Sequence, residues 1–463
     1  MMSKPPRVMY GVDDIPPLLI TLVSGLQQAA VITMIFAYPI VVARAAGAPP
    51  ELARQMLTMS MIVMGVGAIL QAGVPPLGSR FLCPPCFTAA YLPGSILAAQ
   101  LGGLPLVFGM TVFAGGLECV LSRMVARLQR ILPFHVAGVI VVMIGISVGS
   151  IGVKDILSGA VVTEGFGVLV GVGTLVTITV LSVSRSTVVR GFSALVGLSV
   201  GYGIAWGGGL VEPAPAQTII FSVPLFDLPR FFLPAWGFDA NLVVAFAAGA
   251  LASATRVMGD VVSSQKLNDA EWRRPEMRSV ADGVLANGLT TLVAGVLGTI
   301  GVSTSTANIG LAKATGVASR RVGYAIGAIF FALAFVPPAA TLMLSMPTPV
   351  MGAALVFTAC FIVTNGFELI AAAPSGACMP IMVGLPFIVG VVTELHHLSL
   401  DGIPPAVCVV MTNSLVTATL AALVLTGLSG LRRAGAATAA RLHRAVRNGG
   451  ITASLTIEQK GRD

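Results

Sequence analysis

The sequence predicts an all-α polytopic membrane protein with 14 transmembrane segments, arranged as two inverted repeats of seven with half-helices in segments 3 and 10. Charged residues make up only 10% of the 463 residues, against roughly 25% in soluble domains. A water-exposed surface of this size could not be covered with so few charges. Uncharged runs such as 17–43, 55–79, 81–117 and 322–367 are each long enough for one or more spanning helices.

Apolar windows bounded by Pro, Gly or charged residues define the segments. The first apolar run is far longer than the apolar region of a signal peptide, which has about 7 to 15 residues, so we interpret it as a span and not as a removable leader. The predicted limits are 17–43, 55–74, 82–98, 104–124, 133–153, 165–184, 190–207, 240–263, 280–298, 303–316, 321–343, 350–367, 375–395 and 404–430.

The basic residues predict the orientation. An even number of segments places both termini on one side, and a cytoplasmic N-terminus leaves only Arg44, Arg54, Lys154 and Arg230 in outer loops. Arg256 lies within a span, and the remaining Lys and Arg fall on the cytoplasmic side, as the positive-inside rule expects. The net charge of +8 therefore reports orientation in a plasma (bacterial inner) membrane. The expected partners are the lipid bilayer and a small-molecule substrate, with no nucleic acid.

Two segments differ from ordinary spanning helices. Segment 3 opens with Cys-Pro-Pro-Cys at 83–86 and contains Pro93, whereas segment 10 is short and opens with the polar run 303–306. Interrupted segments at corresponding places in two halves are typical of discontinuous helices that meet near the midplane of a transporter. Segment 10 is the third of a second group of seven, and an odd number of spans per repeat inverts the second copy.

Segment 8 carries charge inside the membrane. Between Leu242 and Lys266 the only charged residues are Arg256 and Asp260, which are four residues apart and so share one helical face. Intramembrane charges indicate a functional site, although an internal ion pair would also explain them. The two interpretations can coexist, because Asp260 could neutralise Arg256 until an anion arrives. Asp260 is also the candidate proton carrier, so H+ is the expected coupling ion, with no other cofactor and no metal.

A short motif in segment 10 resembles a family signature. Asn308-Ile309-Gly310 followed by Thr315 is similar to the Asn-x-Gly-x4-Thr signature of the nucleobase/cation symporters, also called nucleobase-ascorbate transporters or the xanthine/uracil permease family. Further similarities occur along most of the chain and in the right order. They are Gly25-Leu26-Gln27, Leu132-Pro133 with Gly138 and Gly145, Gly259-Asp260, and Pro349-Val350-Met351-Gly352.

The resemblance implies a homodimeric secondary active transporter in which a core domain that carries the substrate moves against a gate domain. It implies proton-coupled uptake of a purine-like, pyrimidine-like or anionic heterocyclic substrate of the xanthine, urate and uracil class. The implied divisions are core at 1–130 and 240–344, gate at 131–208 and 345–430, an extracytoplasmic loop at 209–239, and a basic cytoplasmic tail at 431–463.

Three positions depart from the family pattern. Members that carry nucleobases generally have Glu at the place of Arg256, Glu or Gln at the place of Ala307, and His at the place of Gln28. Arg presents five hydrogen-bond donors and no acceptor, and each half-helix N-terminus adds roughly +0.5 elementary charge. The alternative prediction is therefore a transporter or passive pathway for a small organic or inorganic anion, bound by Arg256 and the half-helix N-termini.

The candidate substrate-binding residues come from segments 1, 3, 8 and 10. Polar side chains at the start of segment 10 are expected either to cap the helix or to contact the substrate, and Asn308 ranks first because it matches the signature. The ionisable residues within the segments offer no catalytic constellation, so we do not expect an enzyme. The full set is Arg256, Ala307, Asn308, Thr306, Gln27, Gln28, Thr88 and Ala89.

Overall fold

The structure is a computed structural model that describes residues 4–6, 8–73, 75–125, 134–162, 165–210, 224–229, 234–371, 379–395, 414, 416–422 and 424–427. Most of these residues are helical. In chain order the helices are α1 (Leu18–Thr33), α2 (Ala37–Ala45), α3 (Pro50–Ala72), α4 (Leu92–Arg123), α5 (Phe134–Val162), α6 (Phe166–Ser182), α7 (Thr187–Gly207), α8 (Val243–Asn268), α9 (Met277–Leu297), α10 (Thr306–Thr315), α11 (Arg320–Ala334), α12 (Pro337–Leu344), α13 (Thr348–Ala371) and α14 (Met379–Leu395).

The described chain contains seven helical stretches that are long and apolar enough to cross a membrane. The protein is therefore a mostly helical polytopic membrane protein, as the sequence predicts. Only part of predicted segment 14 lies among the described residues, and the tail at 431–463 lies outside them. The seven stretches are Leu18–Ala45, Pro50–Ala72, Leu92–Arg123, Gly138–Ser158, Ala240–Asn268, Met277–Leu297 and Thr348–Ala371.

Segment 11 differs from the single span that the sequence predicts. Its two helices, α11 and α12, pass the test for a span only together, and they are bent by 85° at the break between them. Helix α12 begins with Pro337 and Pro338. Proline lacks a backbone N–H and disfavours a helical conformation in the residue before it, so the bend follows from the sequence.

Segments 3 and 10 both begin with a short strand. Strand β1 (Pro85–Phe87) pairs antiparallel with β2 (Val302–Thr304), and Cys86 lies opposite Ser303. Helix α4 follows β1 and helix α10 follows β2. Segment 3, whose predicted limits begin at residue 82, is therefore helical only from Leu92. Pro84 and Pro85 cannot donate the backbone hydrogen bonds of a helix. In lipid these backbone groups must be satisfied within the protein, and the strand pair does so.

Helix α4 includes the predicted boundary between segments 3 and 4. Its backbone leaves the helical conformation at Gly102 and Gly103, and Gly103 has a φ of 68°, which residues with a Cβ rarely adopt. The part before this kink is therefore short, and the part after it continues to Arg123.

The first predicted segment is also interrupted. A 3-10 turn at Met34–Phe36 separates α1 from α2. The Phe36 ring packs edge-on against Phe87 of β1, with ring centroids 5.3 Å apart, and stacks on Phe330 at 5.9 Å. The turn therefore lies beside the paired strands and places the first residues of α2 next to them.

Helices α5 and α13 pack closely through small residues. A Cβ added at Gly138 would lie 2.8 Å from the Gly366 carbonyl oxygen, and one added at Gly152 would lie 2.7 Å from the Gly352 carbonyl oxygen. Small residues allow helix backbones to approach closely in membranes, where packing and not the hydrophobic effect drives association. Gly138 and Gly352 belong to the motifs that resemble the family. The close contact between α5 and α13 explains why glycine is needed at both positions.

We predict that Gly152→Ala destabilises the protein, because the new methyl group would push the α13 backbone away. The expected loss is about 1–3 kcal/mol, seen as a lower thermal unfolding midpoint of the detergent-solubilised protein. The matched control is Gly149→Ala in the same helix, whose Cβ would meet only the Ala359 side chain at 3.5 Å. An equal loss in both variants would contradict the close helix contact.

Candidate substrate-binding site

Asp260 joins helix α8 to the start of segment 10. Its side chain is buried, and its two carboxylate oxygens accept separate hydrogen bonds. Oδ2 accepts from the Thr304 hydroxyl at 2.6 Å, and Oδ1 accepts from the Thr306 hydroxyl at 2.7 Å. Thr304 ends β2 and Thr306 begins α10, so the carboxylate lies at the N-terminus of a helix, where a negative charge is favourable.

Arg256 lies one turn before Asp260 on the same face of α8. Its Nε is 3.9 Å from Asp260 Oδ2, which is too long for a hydrogen bond. The structure thus contains the ion pair that the spacing predicts, but the two threonine hydroxyls are closer to the carboxylate. Arg256 Nε is buried and has no hydrogen-bond partner among the described residues, although 23% of the side chain is exposed.

Asn308 and Gln28 bind each other. The Asn308 amide nitrogen donates to Gln28 Oε1 at 2.5 Å and to the Gln28 carbonyl at 2.9 Å. In return, the Gln28 amide nitrogen donates to the Asn308 carbonyl at 3.2 Å. Both residues are buried. The signature Asn308 therefore holds α10 against α1, in addition to any contact with substrate.

The sequence allows the polar side chains at the start of segment 10 to cap the helix, but Ser305 does not do so. Ser305 occupies the N-cap position of α10 but makes no capping hydrogen bond with its side chain. Its hydroxyl donates instead to Asn308 Oδ1 at 2.5 Å. With Gln28 on one side and Ser305 on the other, the Asn308 amide is fixed in its orientation.

The remaining predicted residues lie in different surroundings. Thr88 and Ala89 are buried just after β1, where the Thr88 hydroxyl accepts from the Ala90 backbone N–H at 3.2 Å. Ala307 is exposed. Gln27 is buried, and its side chain lies against Gly191 of α7. The structure thus brings Arg256, Asp260, Thr306, Asn308 and Gln28 to the start of α10, while Gln27 faces a helix of the other predicted domain.

A buried carboxylate, Glu118, is linked through Asn287 to strand β2. Glu118 of α4 is fully buried and accepts from the Tyr91 hydroxyl at 2.6 Å and from the Asn287 amide at 2.6 Å. Asn287 also donates to the Val302 carbonyl of β2 at 3.1 Å. Glu118 therefore has the partner-satisfied structural role that its place in an apolar segment suggests, and Tyr91 is a hydrogen-bond donor to it.

The two cysteines of the Cys-Pro-Pro-Cys run are buried free thiols. Cys83 Sγ lies 3.1 Å from the Ser264 hydroxyl, and Cys86 Sγ lies 3.5 Å from the Thr304 carbonyl. The described residues contain no group of three or more His, Cys, Asp or Glu that could hold a metal ion. The thiols act as small packing groups between β1, β2 and α8.

A polytopic helical protein with a buried polar site at two short strands has the features of a membrane transporter. Residues 19–399 match the sequence model of the xanthine/uracil permeases, described as a permease family. The chain belongs to this family, and it is a transporter and not an enzyme.

Similar proteins extend over most of the chain. The xanthine permease XanP of Escherichia coli is 26% identical over 443 residues, which cover 90% of this chain and 94% of that protein. The uric acid permease PucJ of Bacillus subtilis is 25% identical over 354 residues, covering 72% and 75%. In fold, the chain resembles the transmembrane domain of the cyanobacterial bicarbonate transporter BicA, with a TM-score of 0.55 at 14% identity, covering 88% of this chain and 97% of that one.

We predict that Gln28 and Asn308 are energetically coupled. Replacing either with Ala leaves buried polar groups of the other unsatisfied, so each single variant should lose about 1–3 kcal/mol of stability. The double variant should lose less than the sum, because the second change removes the stranded group. Thermal unfolding of the four proteins measures the coupling, with exposed Gln100→Ala as the control. Strictly additive losses would show that the two amides do not depend on each other.

Proposed function

We propose that this protein is a secondary active transporter that takes up a purine-like, pyrimidine-like or anionic heterocycle of the xanthine, urate and uracil class, together with H+. The observation that carries the proposal is that permeases named for xanthine and for uric acid are similar to the chain over most of its length. The polar groups at the start of α10 supply a site of suitable chemistry for such a substrate.

The site offers both donors and an acceptor. Xanthine and uric acid carry carbonyl oxygens on ring carbons as well as ring N–H groups, and the Arg256 guanidinium can donate to an oxygen. Asp260 already accepts two hydroxyl bonds, but a carboxylate has about four lone-pair sites and so keeps capacity for a ring N–H. An oxygen-rich heterocycle, neutral or anionic, therefore suits these residues better than a base whose binding edge presents only donors.

We extend the proposal to the architecture: fourteen segments in two inverted repeats, with half-helices in segments 3 and 10. Equivalent members of the two groups of seven contact each other in the structure. Strand β1 of segment 3 pairs with β2 of segment 10, and α5 of segment 5 packs on α13 of segment 12. Such self-pairing is expected when a pseudo-two-fold axis relates the halves. Cytoplasmic termini and a homodimer complete the proposal.

Transport in this scheme requires the core (1–130 and 240–344) to move against the gate (131–208 and 345–430). Arg44, in α2 of the core, donates to the Thr348 hydroxyl at 3.0 Å and to the Met346 carbonyl at 2.9 Å. Both acceptors lie at the start of the second gate part. This bridge would have to break when the core moves, which makes it a contact specific to one state.

An alternative function is a transporter or passive pathway for a small organic or inorganic anion. The observation that favours it is the Arg256 Nε–H, which no described residue accepts. A passive pathway would equilibrate its anion across the membrane, whereas an active transporter concentrates its substrate against a gradient. Accumulation above the external concentration therefore decides between them.

We predict that Arg256→Gln lowers uptake of labelled xanthine and uric acid by about 10–100-fold, which corresponds to one hydrogen bond from a charged group. Arg256→Glu should abolish uptake, because it replaces the donors that would bind a substrate oxygen with a group that only accepts hydrogen bonds. Cells that lack their own purine permeases provide the assay. The matched control is Lys266→Gln, which removes one positive charge from an exposed position of the same helix. Uptake with unchanged affinity in the Arg256 variants would remove Arg256 from the site.

We predict that uptake depends on the proton gradient. A protonophore should collapse accumulation of the substrate, and Asp260→Asn should retain binding but lose accumulation, because an amide cannot carry the proton. Parallel measurements of binding to purified protein and of uptake separate the two effects. Accumulation that persists in the presence of the protonophore would exclude proton coupling.

A further inference from the structure

Asp155 has a buried carboxylate oxygen without a partner. The residue lies near the end of α5, within the apolar stretch Gly138–Ser158. Its Oδ2 atom is buried and accepts no hydrogen bond from any residue that the structure describes. The other unpartnered acceptors of the described chain belong to Gln71, Asn268 and Asp282, all in the proposed core. Asp155 differs from them because it belongs to the proposed gate.

Close helix contacts fix the position of Asp155 within the gate. A Cβ added at Gly352 of α13 would lie 2.9 Å from the Asp155 Cβ. A Cβ added at Gly171 of α6 would lie 2.9 Å from the Ile156 side chain and 3.1 Å from the Pro349 carbonyl oxygen. Helices α5, α6 and α13 are therefore tightly packed, and Asp155 is held against the first turns of α13.

A cation of the proposed core contacts the same face of α13. Arg44 donates to the Thr348 hydroxyl at 3.0 Å and to the Met346 carbonyl at 2.9 Å. Thr348 and Gly352 are four residues apart, so they share one face of the helix and lie about 5–6 Å apart. The Arg44 guanidinium and the Asp155 side chain thus contact positions one turn apart on α13, and their charges act on each other.

The start of α13 makes a counter-charge for Arg44 necessary. Helix α13 begins at Thr348, and the N-terminus of a helix carries a partial positive charge that disfavours a cation. Ionisable residues at membrane depth are usually paired with one another. A carboxylate one turn along the helix therefore supplies the charge that lets Arg44 stay beside this helix end.

The location of the two charges connects them with the proposed movement. The predicted topology places Arg44 and Lys154, the neighbour of Asp155, on the outer side of the membrane. Arg44 belongs to the core and Asp155 to the gate. An attraction between them holds the two domains together at their outer ends and so opposes opening of the site to that side.

We propose that Arg44 and Asp155 form an outer latch, an ion pair between core and gate that keeps the outer side of the substrate path closed. The inference rests on the proposed function, in which the core moves against the gate, and adds a pair of charges that controls this movement. Asp155 is a positioning residue, since it acts on the site only through the placement of the core. Loss of either charge should increase the fraction of protein whose site is open to the outside.

The test measures how fast a membrane-impermeant maleimide, added to intact cells, modifies a cysteine introduced by Ala307→Cys at the exposed start of α10. The same protein without this substitution gives the background from the chain's own cysteines. Asp155→Asn and Arg44→Gln should each raise the rate by about 2–5-fold, the size of one partly exposed ion pair. The exchange variant, Arg44→Asp with Asp155→Arg, should bring the rate back toward that of the unaltered pair, because it restores the attraction.

Two further variants separate the charges from their surroundings. Lys154→Gln is the matched control, because Lys154 is exposed next to Asp155 and its loss should leave the rate unchanged. Thr348→Val removes the hydroxyl acceptor and keeps both charges, so it should raise the rate less than Asp155→Asn does. Arg44 is exposed, so Arg44→Gln tests the latch even if Asp155→Asn fails to fold.

The outcomes distinguish the latch from the proposed function. Unchanged or slower modification in the single variants would overturn the latch, as would an exchange variant that reacts as fast as either of them. A larger effect of Thr348→Val than of Asp155→Asn would assign closure to the hydrogen bonds and also overturn it. Uptake of labelled xanthine and uric acid by the unaltered protein is measured in the same cells. If uptake occurs and the latch fails, the proposed function stands, whereas absence of uptake contradicts the proposed function and leaves the modification rates to decide the latch.

Discussion

The antiparallel pairing of β1 and β2 is the contact on which the rest of the polar interior depends. A chain that leaves the helical conformation inside a membrane must satisfy its freed backbone groups within the protein. The two strands do this for each other, and side chains of α8 and α9 complete the arrangement, since Ser253, Thr291 and Asn287 all donate to the Val302 carbonyl. Helix α10 starts directly after this pair, so its polar first turn is set in place by the strands.

Hydrogen-bond satisfaction separates supporting residues from candidate ligands. Glu118, Asn287 and Asn308 are polar and deeply buried, and each is engaged by neighbours in the described structure. Such fully satisfied networks make a site rigid. Arg256 Nε lacks an acceptor among the described residues, and its place beside Asp260 makes it a candidate ligand. A polar residue in a membrane span is thus informative only once its partners are known.

The sequence predicts local features well and pairings poorly. The spans follow from apolar length, and the interruption at β1 follows from Pro84 and Pro85, because both effects act within a few residues of the chain. The partner of Asn308 is 280 positions away, and the strand register joins Pro85 to Thr304.

The arrangement around Asp260 explains how the site can hold an Arg where the family resemblance implies a Glu. The carboxylate is held at 2.6 and 2.7 Å by two hydroxyls at the N-terminus of α10, so its position does not depend on a hydrogen bond from Arg256, whose Nε is 3.9 Å away. The guanidinium therefore keeps donors for another oxygen. A buried donor without an acceptor is costly, and an oxygen of an oxygenated or anionic substrate would relieve that cost at Nε. In this interpretation the Arg changes which atoms of the substrate are recognised, while the Asp260 and Asn308 framework that positions the site stays the same.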